Sequence, residues 1–205
     1  DNGIKISKDI GLVSNVFQED KLLNMDGQMG IGHTRYPTVG VGDVKEVQPF
    51  FNRHPDGIGL AFNGNVVNYP LLKEKLRAKR VYLSSNSDAE VLLQIFGDSY
   101  GSVKADGHEA VFNAVKAIHK DVIGGYSVIA LIANKGIVAF KDPNGIRPLL
   151  IGEKRLNGKK SYAFSSESIA LTIQGYENIR DLKPGEVVFV DKDLHTHSKV
   201  IESGE

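Results

Sequence analysis

Three short runs in this sequence carry side chains that chemistry can use. In Gly32-His33-Thr34-Arg35-Tyr36-Pro37-Thr38, an arginine follows a short apolar piece and precedes a Pro–Gly-rich loop at 37–42. A guanidinium at a strand end presents a planar fork suited to a carboxylate, although an exposed arginine also serves as an ordinary ion-pairing group. Asn63-Gly64 ends an apolar run and lies just before a helical stretch. An Asn amide and a Gly backbone N–H pointing the same way can stabilise a developing oxyanion; the same dipeptide is also a common tight turn. Asp88 sits in the first turn of a helix, where the dipole favours a carboxylate for stability alone and where an ionised carboxylate can also bind an amino group. The three together supply a carboxylate receptor, an oxyanion hole and an ammonium receptor, which is equipment for gripping a free amino acid and polarising its side-chain carbonyl. The set lacks a nucleophile with a base beside it.

Other chemistry is excluded by search. The chain of 205 residues has no cysteine, which removes disulfides, thiolate metal sites and a Cys nucleophile from within it. There is no P-loop run, and Gly30-Ile31-Gly32 lacks the third glycine of a dinucleotide fingerprint. No acidic pair of the kind that holds ribose hydroxyls follows an apolar strand. His195 and His197 share one strand face but read as a solvated hairpin tip, since structural zinc needs four ligands, so no metal site is expected. Lys plus Arg is 25 and Asp plus Glu is 25, a balance that disfavours a dedicated nucleic-acid partner. No apolar run reaches membrane-spanning length and no signal peptide opens the chain, so no membrane partner and a cytoplasmic location are expected.

The elements that must position these residues follow from periodicity. A buried strand is predicted at 57–62 and a helix at 69–79, with Pro70 in its first turn. Ser87 and Glu90 have capping-box spacing and predict a helix at 88–97. A third helix starts near Asp106, with Val111, Phe112, Val115 and Ile118 as its apolar stripe. Strands are predicted at 126–133, 137–141, 149–153 and 162–165, a short helix at 168–174, and a closing hairpin from 186–191 and 198–201. Helices in the middle and antiparallel strands elsewhere argue for α+β, not a doubly wound parallel sheet.

The runs GHTRYPTVG, FNGNVVNY, SSNSDAEVLLQIF, GGYSVIAL, FKDPNGIRPLLIG, AFSSES and RDLKPGEVV stand in the order found in class II glutamine amidotransferases. The chain resembles most closely the glutaminase domains of amidophosphoribosyltransferases, over nearly its whole length; TRYPT and KDPNGIRPL are specific to that branch. The resemblance implies an N-terminal-nucleophile hydrolase fold, an αββα sandwich of two antiparallel sheets between helical layers. It implies that Arg35 and Thr38 hold the α-carboxylate of glutamine, that Asp88 and the Gly64 backbone hold its α-amino group, that Asn63 and Gly64 form the oxyanion hole, and that Tyr36 belongs to a loop closing over the substrate.

In the family an N-terminal cysteine attacks the amide, with its own α-amine as base, and ammonia passes to a phosphoribosyltransferase domain later in the chain. The expectation is therefore a type 2 glutamine amidotransferase domain at 1–205, with the nucleophile's segment upstream of Asp1 and the transferase domain beyond Glu205. The implied partners are glutamine and that transferase domain, in a homo-oligomeric parent enzyme of purine synthesis. No cofactor is implied for this chain, and magnesium is implied for the transferase domain. A non-catalytic amino-acid-binding domain of the same fold is the alternative. A domain without its first strand should also expose apolar sheet and an unpaired edge.

Overall fold

Residues 3–35, 43–102, 107–201 and 204 are described by the computed structural model. In chain order these residues form α1 (Val13–Val16), α2 (Glu19–Leu23), a 3₁₀ turn (Val44–Glu46), β1 (Phe50–Asn52), β2 (Ile58–Val66), α3 (Tyr69–Ala78), α4 (Asp88–Ser102) and α5 (His108–Asp121). They continue with β3 (Gly124–Ile132), β4 (Gly136–Lys141), β5 (Leu150–Leu156), β6 (Lys159–Ser165), α6 (Ser168–Ile173), β7 (Glu177–Asp181), β8 (Glu186–Asp191) and β9 (Thr196–Val200). Every strand pairing is antiparallel. A six-stranded sheet runs β1-β2-β3-β4-β8-β9 and a three-stranded sheet runs β6-β5-β7.

Side-chain alternation divides the core into two layers. Ile58, Leu60, Phe62, Val128, Ala130, Ile132, Val138 and Phe140 face one way and pack on α4 and α5 through Leu92, Phe96, Val111, Val115 and Ile118. Residues of the opposite face, Ala139, Val188 and Val190, meet Leu149, Ile151 and Leu182 between the two sheets. Two charged pairs cross the same gap: Lys141 on β4 with Asp181 on β7 at 3.1 Å, and Arg180 on β7 with Glu186 on β8 at 2.7 Å. The result is the expected α+β sandwich, with α6 as a short outer helix on the three-stranded sheet.

Residues 3–35 contribute no strand; Ile31 and Ile4 pack against the start of β2, their Cδ1 atoms 3.4 and 3.9 Å from where Cβ atoms on Gly59 and Gly57 would stand. A groove of about 1000 Å³ there is lined by Ile4, Ile6, Ile31, Phe51 and Leu131, and Leu12 and Leu23 are 71 % and 77 % exposed.

Three predicted elements differ in instructive ways. The strand predicted at 57–62 continues to Val66, so Asn63-Gly64 is extended strand, not a turn. Gly124 and Gly125 lie opposite Val66 and Asn65 and keep the ladder intact past the dipeptide. The capping box at Ser87 is replaced by a different contact. Glu90, 6 % exposed, turns back to accept from Ser84 N and Oγ, both at 2.8 Å, and from Ser85 N and Oγ at 2.8 and 2.6 Å. Ser87 N donates instead to Ser85 Oγ at 3.1 Å. The helix from Asp88 runs on to Ser102, five residues beyond the predicted end at 97.

The edge of the large sheet ends on a side chain. Phe50 pairs with Leu60, so the next ladder position would set residue 48 opposite Phe62. Gln48, 7 % exposed, fills that position with its side-chain amide, accepting from Phe62 N at 2.7 Å and donating to Phe62 O at 3.1 Å. Gln48→Leu removes the acceptor of a buried N–H. Urea denaturation should show a stability loss of about 1–3 kcal/mol; an unchanged midpoint would remove this role from Gln48.

Candidate functional site

The C-terminal end of β2 is where the sequence-predicted residues meet. Asn63 is exposed and Gly64 half-buried, opposite Ser127 and Tyr126 of β3. Gly64 is required by contact: a Cβ there would lie 2.3 Å from Gly125 O and 2.7 Å from Tyr126 Cα. Gly124 is equally confined, its Cβ position being 2.1 Å from Asn65 O. No L side chain fits these gaps without moving a strand.

Asp88 is tied to the same strand. Its Oδ2 accepts from Val66 N at 2.8 Å, two residues past Gly64. Burial pushes the Asp88 carboxyl above the ordinary aspartate range, while the Val66 N–H and the positive charge of Arg35 pull it back down. The Arg35 charge thus reaches Asp88, although 53 residues separate the two in sequence.

Glu46 links them physically. Its Oε2 lies 3.5 Å from Arg35 Nη1, and its Oε1 accepts from Asn86 N at 3.3 Å, at the turn leading into Asp88. The Arg35–Glu46 pair is long and its side chains are 42 % and 29 % exposed, so it holds the guanidinium weakly. A second carboxylate can be accommodated by the rest of the fork. Tyr36 and Thr38 lie outside the described residues.

Besides Glu46, the structure adds two residues that sequence reasoning passed over. The Tyr69 hydroxyl is buried without a hydrogen-bond partner among the described residues. Burial, followed by the charges of Asp88, Glu90 and Glu46, pushes its pKa up. His33 Nδ1 is likewise buried and unpartnered among the described residues. Burial lowers the His33 pKa against a hydrogen bond to the Phe62 backbone, and Arg35 lowers it further, so the ring is held towards its neutral form. The alternation of an extended chain was a usable signal for His33, two residues from Arg35; nothing in the local sequence marks Tyr69 or Glu46.

The histidines of the closing hairpin stand apart from this site. His195 Nδ1 and His197 Nε2 both approach Asp191 Oδ2 at 3.2 Å, and His197 stacks on His108 with centroids 4.2 Å apart. Among the described residues no group of three His, Asp or Glu side chains is arranged to hold a metal ion. No helix among them is long and apolar enough to cross a membrane.

Comparison with known proteins bears on the whole region. Residues 33–173 match the family model described as a glutamine amidotransferase domain, a span that includes Arg35, Asn63, Gly64 and Asp88. The amidophosphoribosyltransferase of Pasteurella multocida is 47 % identical over 194 residues, covering 93 % of this chain and 38 % of that protein. Two solved structures are similar over 95 % of this chain and 39 % of theirs. One, described as the allosteric regulatory enzyme of purine biosynthesis, has a TM-score of 0.79 at 28 % identity. The other, the glutamine phosphoribosylpyrophosphate amidotransferase of Bacillus subtilis complexed with ADP and GMP, has a TM-score of 0.76 at 27 % identity. The chain thus spans about two fifths of the length of these relatives.

The raised pKa of Asp88 fixes the sign of its effect on stability. The folded protein binds that proton more tightly than the unfolded chain, so the favourable contribution present at acid pH is lost as pH rises through the folded value. Asp88→Asn should therefore raise the thermal midpoint at pH 7, and the difference should vanish below the ordinary aspartate range. A wild type at least as stable as the variant at pH 7 would contradict this assignment.

Proposed function

The chain belongs to the glutamine amidotransferase domain family, and from that premise we propose that it is the glutamine-binding part of an amidophosphoribosyltransferase. The convergence of Arg35, Asp88 and the Asn63-Gly64 strand end on one surface carries this reading. In it, Arg35 and Thr38 hold the α-carboxylate of free glutamine. Asp88 and the Gly64 backbone hold the α-ammonium group. The Asn63 side-chain amide and the Gly64 N–H receive the oxyanion that forms when the side-chain amide is attacked, and Tyr36 belongs to the loop that closes over the substrate.

The neutral–charged logic of the site supports these roles. A half-buried carboxylate beside an arginine discriminates a zwitterion from either singly charged end group, because each charge of the ligand meets its opposite. The nucleophile in this reading is an N-terminal cysteine of the parent protein. Ammonia released from glutamine reaches a phosphoribosyltransferase domain, where it replaces diphosphate on phosphoribosyl diphosphate to give 5-phosphoribosylamine for purine synthesis. That domain is also where magnesium would act. The identity to the Pasteurella multocida enzyme, 47 % over 93 % of this chain, supports the choice of acceptor over other glutamine-dependent enzymes. A homo-oligomeric, cytoplasmic parent enzyme completes the proposal.

The full-length protein should release ammonia from glutamine and form phosphoribosylamine from phosphoribosyl diphosphate. Binding of glutamine with no ammonia released would favour an amino-acid-binding domain instead. Arg35→Ala should raise KM for glutamine with little change in kcat, by the roughly 1.5–3 kcal/mol of a lost charge-assisted pair. Asn63→Ala should instead lower kcat about a hundredfold or more, as for a lost oxyanion donor. Steady-state glutaminase kinetics separate the two, and an unchanged kcat in Asn63→Ala would end its assignment to the oxyanion hole.

A further inference from the structure

Asp142 is fully buried and yet takes no part in the site described so far. Its Oδ2 accepts from Tyr126 N at 2.9 Å and from Ile146 N at 3.0 Å, and its Oδ1 accepts from Asn144 N at 2.8 Å. Its backbone N–H donates to Tyr126 O at 2.9 Å, and its carbonyl accepts from Gly145 N and Gly185 N at 3.0 and 2.9 Å. One residue thus satisfies both ends of the 142–146 loop and pins it to Tyr126, the residue opposite Gly64. Gly145 takes φ +64° against Pro184, a conformation that L side chains rarely adopt.

The consequence is the placement of Ile146. Its side-chain carbons lie 2.8–2.9 Å from where a Cβ on Gly125 would stand, so Ile146 covers Gly125 directly. Gly125 is the ladder partner of Asn65. Partners in an antiparallel ladder share a face, and residues two apart on a strand share it too. Ile146 therefore lies on the face of β2 that carries the Asn63 side chain. It is 62 % exposed, a large apolar side chain held out at a polar strand end.

We propose that Ile146 is a specificity-determining residue, an apolar wall that admits the neutral side-chain amide of glutamine and disfavours the charged side chain of glutamate, and that Asp142 is the positioning residue that fixes it. This rests on the reading of the site as a glutamine site. A γ-amide placed against Ile146 still has its carbonyl directed at Asn63 and Gly64. A γ-carboxylate there loses hydration on one side to a surface that offers neither charge nor hydrogen bond. The same wall sheds the product glutamate after hydrolysis.

The test is glutaminase kinetics on the full-length protein, reading kcat, KM for glutamine and Ki for glutamate. Ile146→Ala should lower the preference for glutamine over glutamate about tenfold, and Ile146→Val should restore it. Asp142→Asn, which turns one acceptor oxygen into a donor, should reproduce the Ile146→Ala shift with the wall side chain intact. If Asp142→Asn does not fold, Ile146→Ala still decides, because that side chain is mostly exposed. An active wild type whose glutamine-to-glutamate preference is unchanged in Ile146→Ala would overturn this inference alone. A wild type that hydrolyses no glutamine would overturn it together with the proposed function.

Discussion

The register of β2 against β3 is the constraint on which the rest of the structure hangs. Nine residue pairs, from Ile58 with Ile132 to Val66 with Gly124, set that register. A slip of one residue would turn Ile58, Leu60 and Phe62 away from α4 and α5 and swing Asn63 to the helical side. The hydrophobic pattern of the strand pair therefore fixes where Asn63 and Gly64 stand, far more firmly than any contact at the site itself. The glycines at 64, 124 and 125 are the local counterpart. They let the ladder persist where a polar strand end, a neighbouring strand and the 142–146 loop crowd together.

Around that ladder the charges are arranged at some cost to the folded state. Asp88 is buried further than its hydrogen bond to Val66 and the nearby Arg35 can offset. The Tyr69 hydroxyl sits among carboxylates with no donor or acceptor of its own among the described residues. Such frustration concentrates where a ligand supplies what the fold does not. The interior elsewhere is different in kind: Asp142, Glu186 and Glu90 are each buried and each fully engaged by backbone or side-chain donors.

The sequence was most legible where burial dictates pattern. Val111, Phe112, Val115 and Ile118 all line the core as their spacing predicts, and the hairpin strand at 186–191 is found without a shift. It was least legible where tertiary pairing overrides local preference. Asn63-Gly64 has the composition of a turn and lies in a strand because two glycines face its end. β7, Glu177–Asp181, has one apolar residue, Ile179, and its charged neighbours serve cross-sheet pairs that leave no periodicity to read. Arg35 and Asp88 were legible as separate groups; their proximity depends on Glu46 and Val66, which carry no chemical signature in one dimension. The complementary chemistry of the three runs, and not periodicity, grouped them in advance.

The Glu90 clamp on Ser84 and Ser85 has a consequence for timing. Four donors on one buried carboxylate freeze the turn that delivers Asp88, so its conformational entropy is lost once, when the chain folds. A ligand arriving at Asp88 meets a carboxylate that has no search left to make. Arg35, held only by its long pair with Glu46, keeps more freedom, so under the proposed reading the two ends of an amino acid would be met by one group already fixed and one still to be ordered.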